Sequence, residues 1–125
     1  MSASSHPVDG ATFSMLWATA WNAHDLDALL SHFAEDVTFT SPVAARIIED
    51  SRGVVSGREE LRKYWQRGLE LIPDLHFEVL DTYSGIDLLV INFRNERGGR
   101  ACEVLKFNDA GLVTEGHGTY LDAVA

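Results

Sequence analysis

Residues 21–43 read WNAHDLDALLSHFAEDVTFTSPV, and their periodicity changes part-way along. Asp25 has the character of a helix N-cap, after which Leu26, Leu29, Leu30 and Phe33 fall on one side of a short helix. An acidic turn follows. DVTFT then reads as a β-branched strand, stopped by Pro42 because proline has no N–H for a sheet ladder. Upstream, Phe13, Leu16, Trp17, Ala20 and Trp21 keep helical spacing and predict an amphipathic first helix ending near NAHD. Two helices therefore precede the first strand.

Downstream, AARIIEDSRGVV (residues 44–55) is a long connection with mixed signals, open between a small hairpin and a flap over a cavity mouth. SGREELRKYWQRGLELI (56–72) is a third helix. Ser56 and Glu59 have capping-box spacing, Leu61, Tyr64, Trp65, Leu69 and Ile72 form its apolar face, and Pro73 closes it. LHFEVLDTY (75–83), DLLVINFRN (87–95), RACEVLKF (100–107) and LVTEGHGTYL (112–121) then read as strands. The turn signals SGID, ERGG and NDAG between them predict antiparallel hairpins. Three helices, one early strand and a four-strand meander make an α+β architecture.

LLVINF is apolar at nearly every position, which is the pattern of a strand covered on both faces. Helices cover one face of a small sheet, so a second subunit is expected on the other, giving a homodimer.

The chain has 125 residues, 46% hydrophobic and 23% charged, which suits one globular domain spanning residues 9–125 behind a flexible N-terminus at 1–8. A net charge of -9, with no basic run interleaved with aromatics, argues against a nucleic-acid partner. The single Cys102 excludes an intrachain disulfide and any cysteine-based zinc site. The N-terminus MSASSHPVDGATF lacks a basic start followed by an apolar stretch, and no apolar run approaches the roughly 20 residues that span a bilayer. A soluble, cytoplasmic protein with no membrane partner is the expectation.

Three segments, WNAHDLDALLSHFAEDVTFTSPV, SGREELRKYW and FNDAGLVTEGHGTY, resemble the nuclear transport factor 2-like superfamily, and within it the SnoaL-like and ketosteroid-isomerase-like proteins. The resemblance runs from about residue 13 to 120. It implies a cone-shaped fold, with helices packed on a strongly curved, mostly antiparallel sheet that encloses a pocket. This fold hosts enzymes, carriers and interaction modules, so the site has to decide function.

In the isomerases an aspartate that moves the proton directly precedes the Pro-Val of the first strand. Ser41 stands there in this chain, and a serine hydroxyl has no useful basicity without an activating neighbour. The first-helix tyrosine of those enzymes matches Trp17, and an accessory tyrosine matches Trp65. Indole N–H is only a donor, and a far weaker acid than a phenol. The acid that donates a hydrogen bond to the oxyanion lies four residues before FN, a position matched by Glu103. Such an acid stays protonated in an apolar site. Flanked on its strand face by Leu105 and Phe107, Glu103 inside a cone has a pKa raised by desolvation. On the opposite strand phase it lies outside, at a dimer face or against Arg94 or Arg100.

Alternation in the last strand puts Gly116, Gly118 and Tyr120 on one face and Glu115, His117 and Thr119 on the other. The resemblance makes the first face the pocket side, where glycines leave volume and Tyr120 offers a phenol; a bulge that bends the sheet is the other use for the glycines. His117 is turned away from Tyr120. His24 and His76 are expected to be exposed, and His32 reaches a cavity edge at most. No histidine spacing suits a metal. Trp17, Trp21 and Trp65 serve as core and pocket wall alike. Asn92 and Arg94 share one strand face, either polar pocket or interface, and Cys102 falls opposite Glu103.

The candidate catalytic residues are thus Glu103 and Tyr120, and the candidate pocket comprises Trp17, Trp21, Ser41, Trp65, Leu105, Gly116 and Gly118. The implied activity is binding of a small, mostly apolar molecule, with cofactor-free isomerase, cyclase or hydratase-type proton transfer on a carbonyl compound if there is turnover. A non-catalytic ligand-binding or dimerisation module is the alternative. Asp36, Glu49 or Asp50 supplies a base only if the long connection folds over the mouth.

Overall fold

The computed structural model describes residues 8–122. Of the expected flexible stretch, residues 1–7 lie outside the described residues, while Val8 is half-buried against the core.

Helix α1 spans Gly10–Asn22, starting before Phe13 because Asp9 caps it by accepting from the Thr12 N–H at 3.1 Å. It ends at a reversal in which His24 has φ 56, and Asp25 then caps α2 (Leu26–Leu30) by accepting from the Ala28 N–H at 3.1 Å. Leu26, Leu29 and Leu30 are all buried, as the spacing requires. Strand β1 (Phe33–Thr40) follows.

A fourth helix, α3 (Pro42–Ile47), replaces the expected irregular start of the long connection. Ser41 is its N-cap, accepting from the Val43 N–H at 3.1 Å, and Pro42 occupies the first helical position, where no N–H is needed. The Ser-Pro pair that stops a strand thus also starts a helix. Strand β2 (Val54–Ser56) then returns antiparallel along β1, pairing Phe39 with Val55.

Helix α4 (Arg58–Leu71) buries Leu61, Tyr64, Trp65 and Leu69, but the expected capping box does not form. Ser56 is committed to β2, paired with Thr38, and Gly57 at φ 90 is the cap residue without a side-chain hydrogen bond. Strands β3 (Glu78–Gly85), β4 (Leu88–Arg94), β5 (Arg100–Phe107) and β6 (Val113–Tyr120) form the expected meander.

The six strands lie in the order β2-β1-β6-β5-β4-β3, with β1 and β6 parallel and every other pair antiparallel. Register shifts interrupt β1 against β6, β3 against β4 and β5 against β6. Such bulges bend strands and tighten their twist, which curls the sheet around the helices. The concave face carries Phe39, Leu89, Ile91, Phe93, Leu105 and Val113, all buried beneath α1 and α4. On the convex face of the single chain Leu88 is exposed and Val90 and Val104 are half-buried.

Candidate active site

The curled sheet does not close on the helices at one end, leaving a cavity of about 360 Å³. Its walls are apolar: Trp21 from α1, Phe39 from β1, Trp65 from α4, with Phe77 and Phe93. The polar groups are few and come from separate elements. They are Ser41, Tyr64, Glu103 and Tyr120, with Arg46, Asn95, Glu96 and Arg97 also in the lining.

Glu103 is positioned by alternation along β5, where it pairs with Ile91 of β4 and Gly118 of β6. It is 6% exposed. Neither arginine that competes for it in sequence is bound to it: Arg94 lies 3.6 Å from Glu78, and Arg100 makes no ion pair among the described residues. With no cation to stabilise the anion, burial pushes its pKa up to about 8. At neutral pH it is a carboxylic acid with a proton to donate.

Ser41 sits across from it, 4% exposed at the junction of β1 and α3. The Tyr64 hydroxyl donates to Ser41 Oγ at 3.3 Å. Burial lifts Tyr64 to a pKa of about 12, partly offset by Ser41, so this phenol keeps its proton. Tyr120, 45% exposed as a residue at the open side of the cavity, is raised as well, by partial burial first, with the Ser41 hydroxyl opposing. A Cβ built on Gly118 lies 3.3 Å from Ser41 Oγ and 3.7 Å from the Tyr120 hydroxyl oxygen, so the bare glycine lets these two groups come together.

A family model describing the SnoaL-like domain matches residues 16–116. The chain belongs to the SnoaL-like family. A SnoaL-like protein of unknown function from Burkholderia thailandensis is 38% identical, with 94% of this chain and all of that one covered and a TM-score of 0.86. Bal32a, from a soil-derived mobile gene cassette, is 24% identical over 90% of this chain and 89% of its own, at a TM-score of 0.75. A Kribbella flavida protein provisionally described as a ketosteroid isomerase shares the fold at 17% identity and a TM-score of 0.72, covering 98% of this chain and 85% of its own. No curated protein matches this chain.

Within the SnoaL-like cone, the residues singled out in sequence divide by position. Trp21, Ser41, Trp65, Glu103 and Tyr120 line the cavity. Trp17 does not: at 1% exposure it lies behind the wall, stacked on Phe77 at 5.4 Å and edge-on to Phe93 at 5.0 Å. Leu105 is fully buried in the core, and Gly116 is packed beneath Phe39, whose ring carbon lies 2.8 Å from where a Cβ would stand. Gly118 underlies the Ser41 and Tyr120 hydroxyls rather than forming wall.

Asp36, Glu49 and Asp50 are exposed and outside the lining: the long connection reaches the cavity through Arg46 and Ile47 of α3, and Glu49 and Asp50 lie beyond the end of that helix, before the chain returns along β1. His117 is on the outer face, its Nδ1 2.6 Å from Thr40 Oγ1 and its Nε2 2.7 Å from Glu115 Oε2, an interaction that holds the Glu115 carboxyl low. His32 packs edge-on against Phe13 at 5.4 Å. Asn92 donates to Asp81 on that outer side at 3.3 Å. Among the described residues no cluster of histidine, cysteine or carboxylate side chains suits a metal, and no helix is long and apolar enough to cross a membrane.

Sequence reasoning passed over Tyr64, Arg46 and Glu96. Tyr64 carries a signal, since a phenol on the apolar face of a helix needs a buried partner for its hydroxyl. Arg46 and Glu96 carry none: Arg46 lies on the short helix α3, inside a connection whose sequence signals are mixed, and Glu96 lies in a turn, so the path of each depends on the finished fold.

Proposed function

We propose that the cavity binds a small, mostly apolar carbonyl compound and that Glu103 and Tyr120 donate hydrogen bonds to its oxygen. The observation that carries this is Glu103, buried without an ion pair at the wall of a cavity whose walls are formed largely by aromatic side chains. Preorganised donors in a water-poor site stabilise negative charge as it develops on a carbonyl oxygen, typically by a factor of about a hundred to a thousand for one donor. Cofactor-free proton transfer next to a carbonyl, as in isomerisation, aldol-type cyclisation or hydration, is the chemistry this favours. Trp21, Trp65, Phe77 and Phe93 orient the apolar body and exclude water.

Ser41 separates two versions of this function. It occupies the place of the isomerase carboxylate, yet its oxygen is engaged by Val43 and Tyr64 and it has no neighbouring base to activate it. That arrangement favours binding without turnover. Glu96, whose side chain is 9% exposed in the cavity lining, is the carboxylate available to accept a proton in the catalytic version.

Loss of α-protons from a panel of aromatic ketones in heavy water, followed by proton NMR, tests turnover. Accelerated exchange that falls about a hundredfold in Glu103→Gln supports catalysis; binding without exchange supports the carrier version. No binding by any member of the panel removes both.

The convex sheet face is proposed to pair with a second copy of the chain. Exposed Tyr83 and Leu88, with half-buried Val90 and Val104 beside them, support this, as a contiguous apolar surface calls for cover.

A further inference from the structure

The hydrogen-bond count at Ser41 restricts the kind of ligand the cavity accepts, a point that rests on the cavity being the ligand site. A serine hydroxyl has two acceptor positions and one proton. Both acceptor positions of Ser41 are taken, one by the Val43 N–H at 3.1 Å and one by the Tyr64 hydroxyl at 3.3 Å. Only the proton is left to give, either to the adjacent Tyr120 oxygen or into the cavity. In both cases the chain from Tyr64 through Ser41 ends on a donor.

The charges around the cavity run the same way. Arg97 Nε lies 3.8 Å from the Glu96 carboxylate, so those two offset one another. Arg46, in the lining from α3, has no ion pair among the described residues. Its charge reaches the hydroxyl cluster, acting on both Tyr64 and Tyr120. With Glu103 neutral, the cavity lining holds one uncompensated positive charge in a protein of net charge -9.

We infer that the natural ligand presents, besides the carbonyl oxygen held by Glu103 and Tyr120, an anionic oxygen group, a carboxylate or a similarly compact oxyanion, to the Ser41 hydroxyl, with Arg46 supplying the balancing charge. Ser41 is then a specificity residue: placed where it must donate, it accepts oxygen anions and rejects groups that must themselves donate. A hydrogen bond to a charged group is worth about a tenfold or greater difference in affinity. Rejection of a donor ligand is stronger still, because neither partner can satisfy the other.

The test uses one aromatic ring with three polar ends: naphthoate, naphthaldehyde and naphthylmethylammonium. Binding is read from quenching of Trp21 and Trp65, which line the cavity, and checked by calorimetry. Naphthoate is expected to bind tighter than the aldehyde and about tenfold or more tighter than the ammonium compound. Arg46→Gln, at an exposed position with no ion pair to lose, is expected to weaken naphthoate about fivefold to tenfold and to leave the aldehyde within about twofold. Tyr64→Phe returns one acceptor position to Ser41, so discrimination against the ammonium compound narrows, which a merely structural role for Tyr64 does not produce. Equal affinity for carboxylate and ammonium, or an Arg46→Gln protein unchanged toward naphthoate, overturns the inference while leaving the carbonyl site standing. If neither naphthoate nor naphthaldehyde binds, the ligand site itself falls, and this inference with it.

Discussion

Replacing Glu103 by glutamine removes a titration while keeping the shape of the side chain, and its effect on stability is calculable. The carboxyl's ordinary value is 4.5 and the folded value about 8, raised by burial. Between those pH values the folded protein holds a proton that the unfolded chain has released. Stability contributed by this group is therefore intact below about pH 4.5 and lost progressively as pH rises to about 8, at roughly 1.4 kcal/mol per pH unit. The full loss is about 5 kcal/mol above pH 8, and roughly 3 kcal/mol is already gone at pH 7. Glu103→Gln has no such loss. Urea unfolding of the two proteins at pH 4, 7 and 9 checks this, since the other titrating groups cancel in the difference. The variant is expected to match the parent at pH 4 and to exceed it by a margin that grows with pH. A difference that stays constant from pH 4 to 9 refutes a buried, unpaired Glu103, and a difference of opposite slope points to a carboxylate stabilised by a cation.

Three other perturbations read the packing and the oligomer. Trp17→Ala empties a site that is 1% exposed between Phe77 and Phe93 and is expected to cost about 3–5 kcal/mol in urea unfolding; a cost below about 1 kcal/mol contradicts its place behind the cavity wall. Gly116→Ala places a methyl 2.8 Å from the Phe39 ring and is expected to destabilise by about 1–3 kcal/mol. Gly118→Ala, at 3.3 Å from Ser41 Oγ, is expected to weaken ligand binding more than stability, and calorimetry beside urea unfolding separates the two. Sedimentation equilibrium across a wide concentration range is expected to return twice the chain mass, and a monomer throughout rules out pairing by the sheet.

The α+β layering was legible because each of its signals is local. The leucines at 26, 29 and 30, the Pro42 stop and the three Gly-containing turns of the meander act within a few residues, and all reappear in the structure. Glu103 was placed by strand alternation, which leaves two phases, and the family resemblance chose between them. What escaped depended on distant chain. Ser41 is a strand end in sequence but a helix cap in the fold, and only the arrival of α4 brings Tyr64 to its oxygen. Ser56 has the right spacing for a capping box, yet pairing with Thr38 takes its backbone into a strand first. Trp17 and Trp21 stand four apart on one helix and both pack against Phe77, but Phe93 covers Trp17 and Trp65 meets Trp21, and both of those rings come from distant chain.

The carbonyl stretch of bound, carbon-13-labelled naphthaldehyde reports directly on whether Glu103 and Tyr120 donate to a ligand oxygen. Donation by both shifts the stretch to lower frequency than in alkane solvent, and the shift is expected to shrink in Glu103→Gln and again in Tyr120→Phe. A bound aldehyde whose stretch matches that in alkane has no such donors, and the proposed carbonyl site falls with that result.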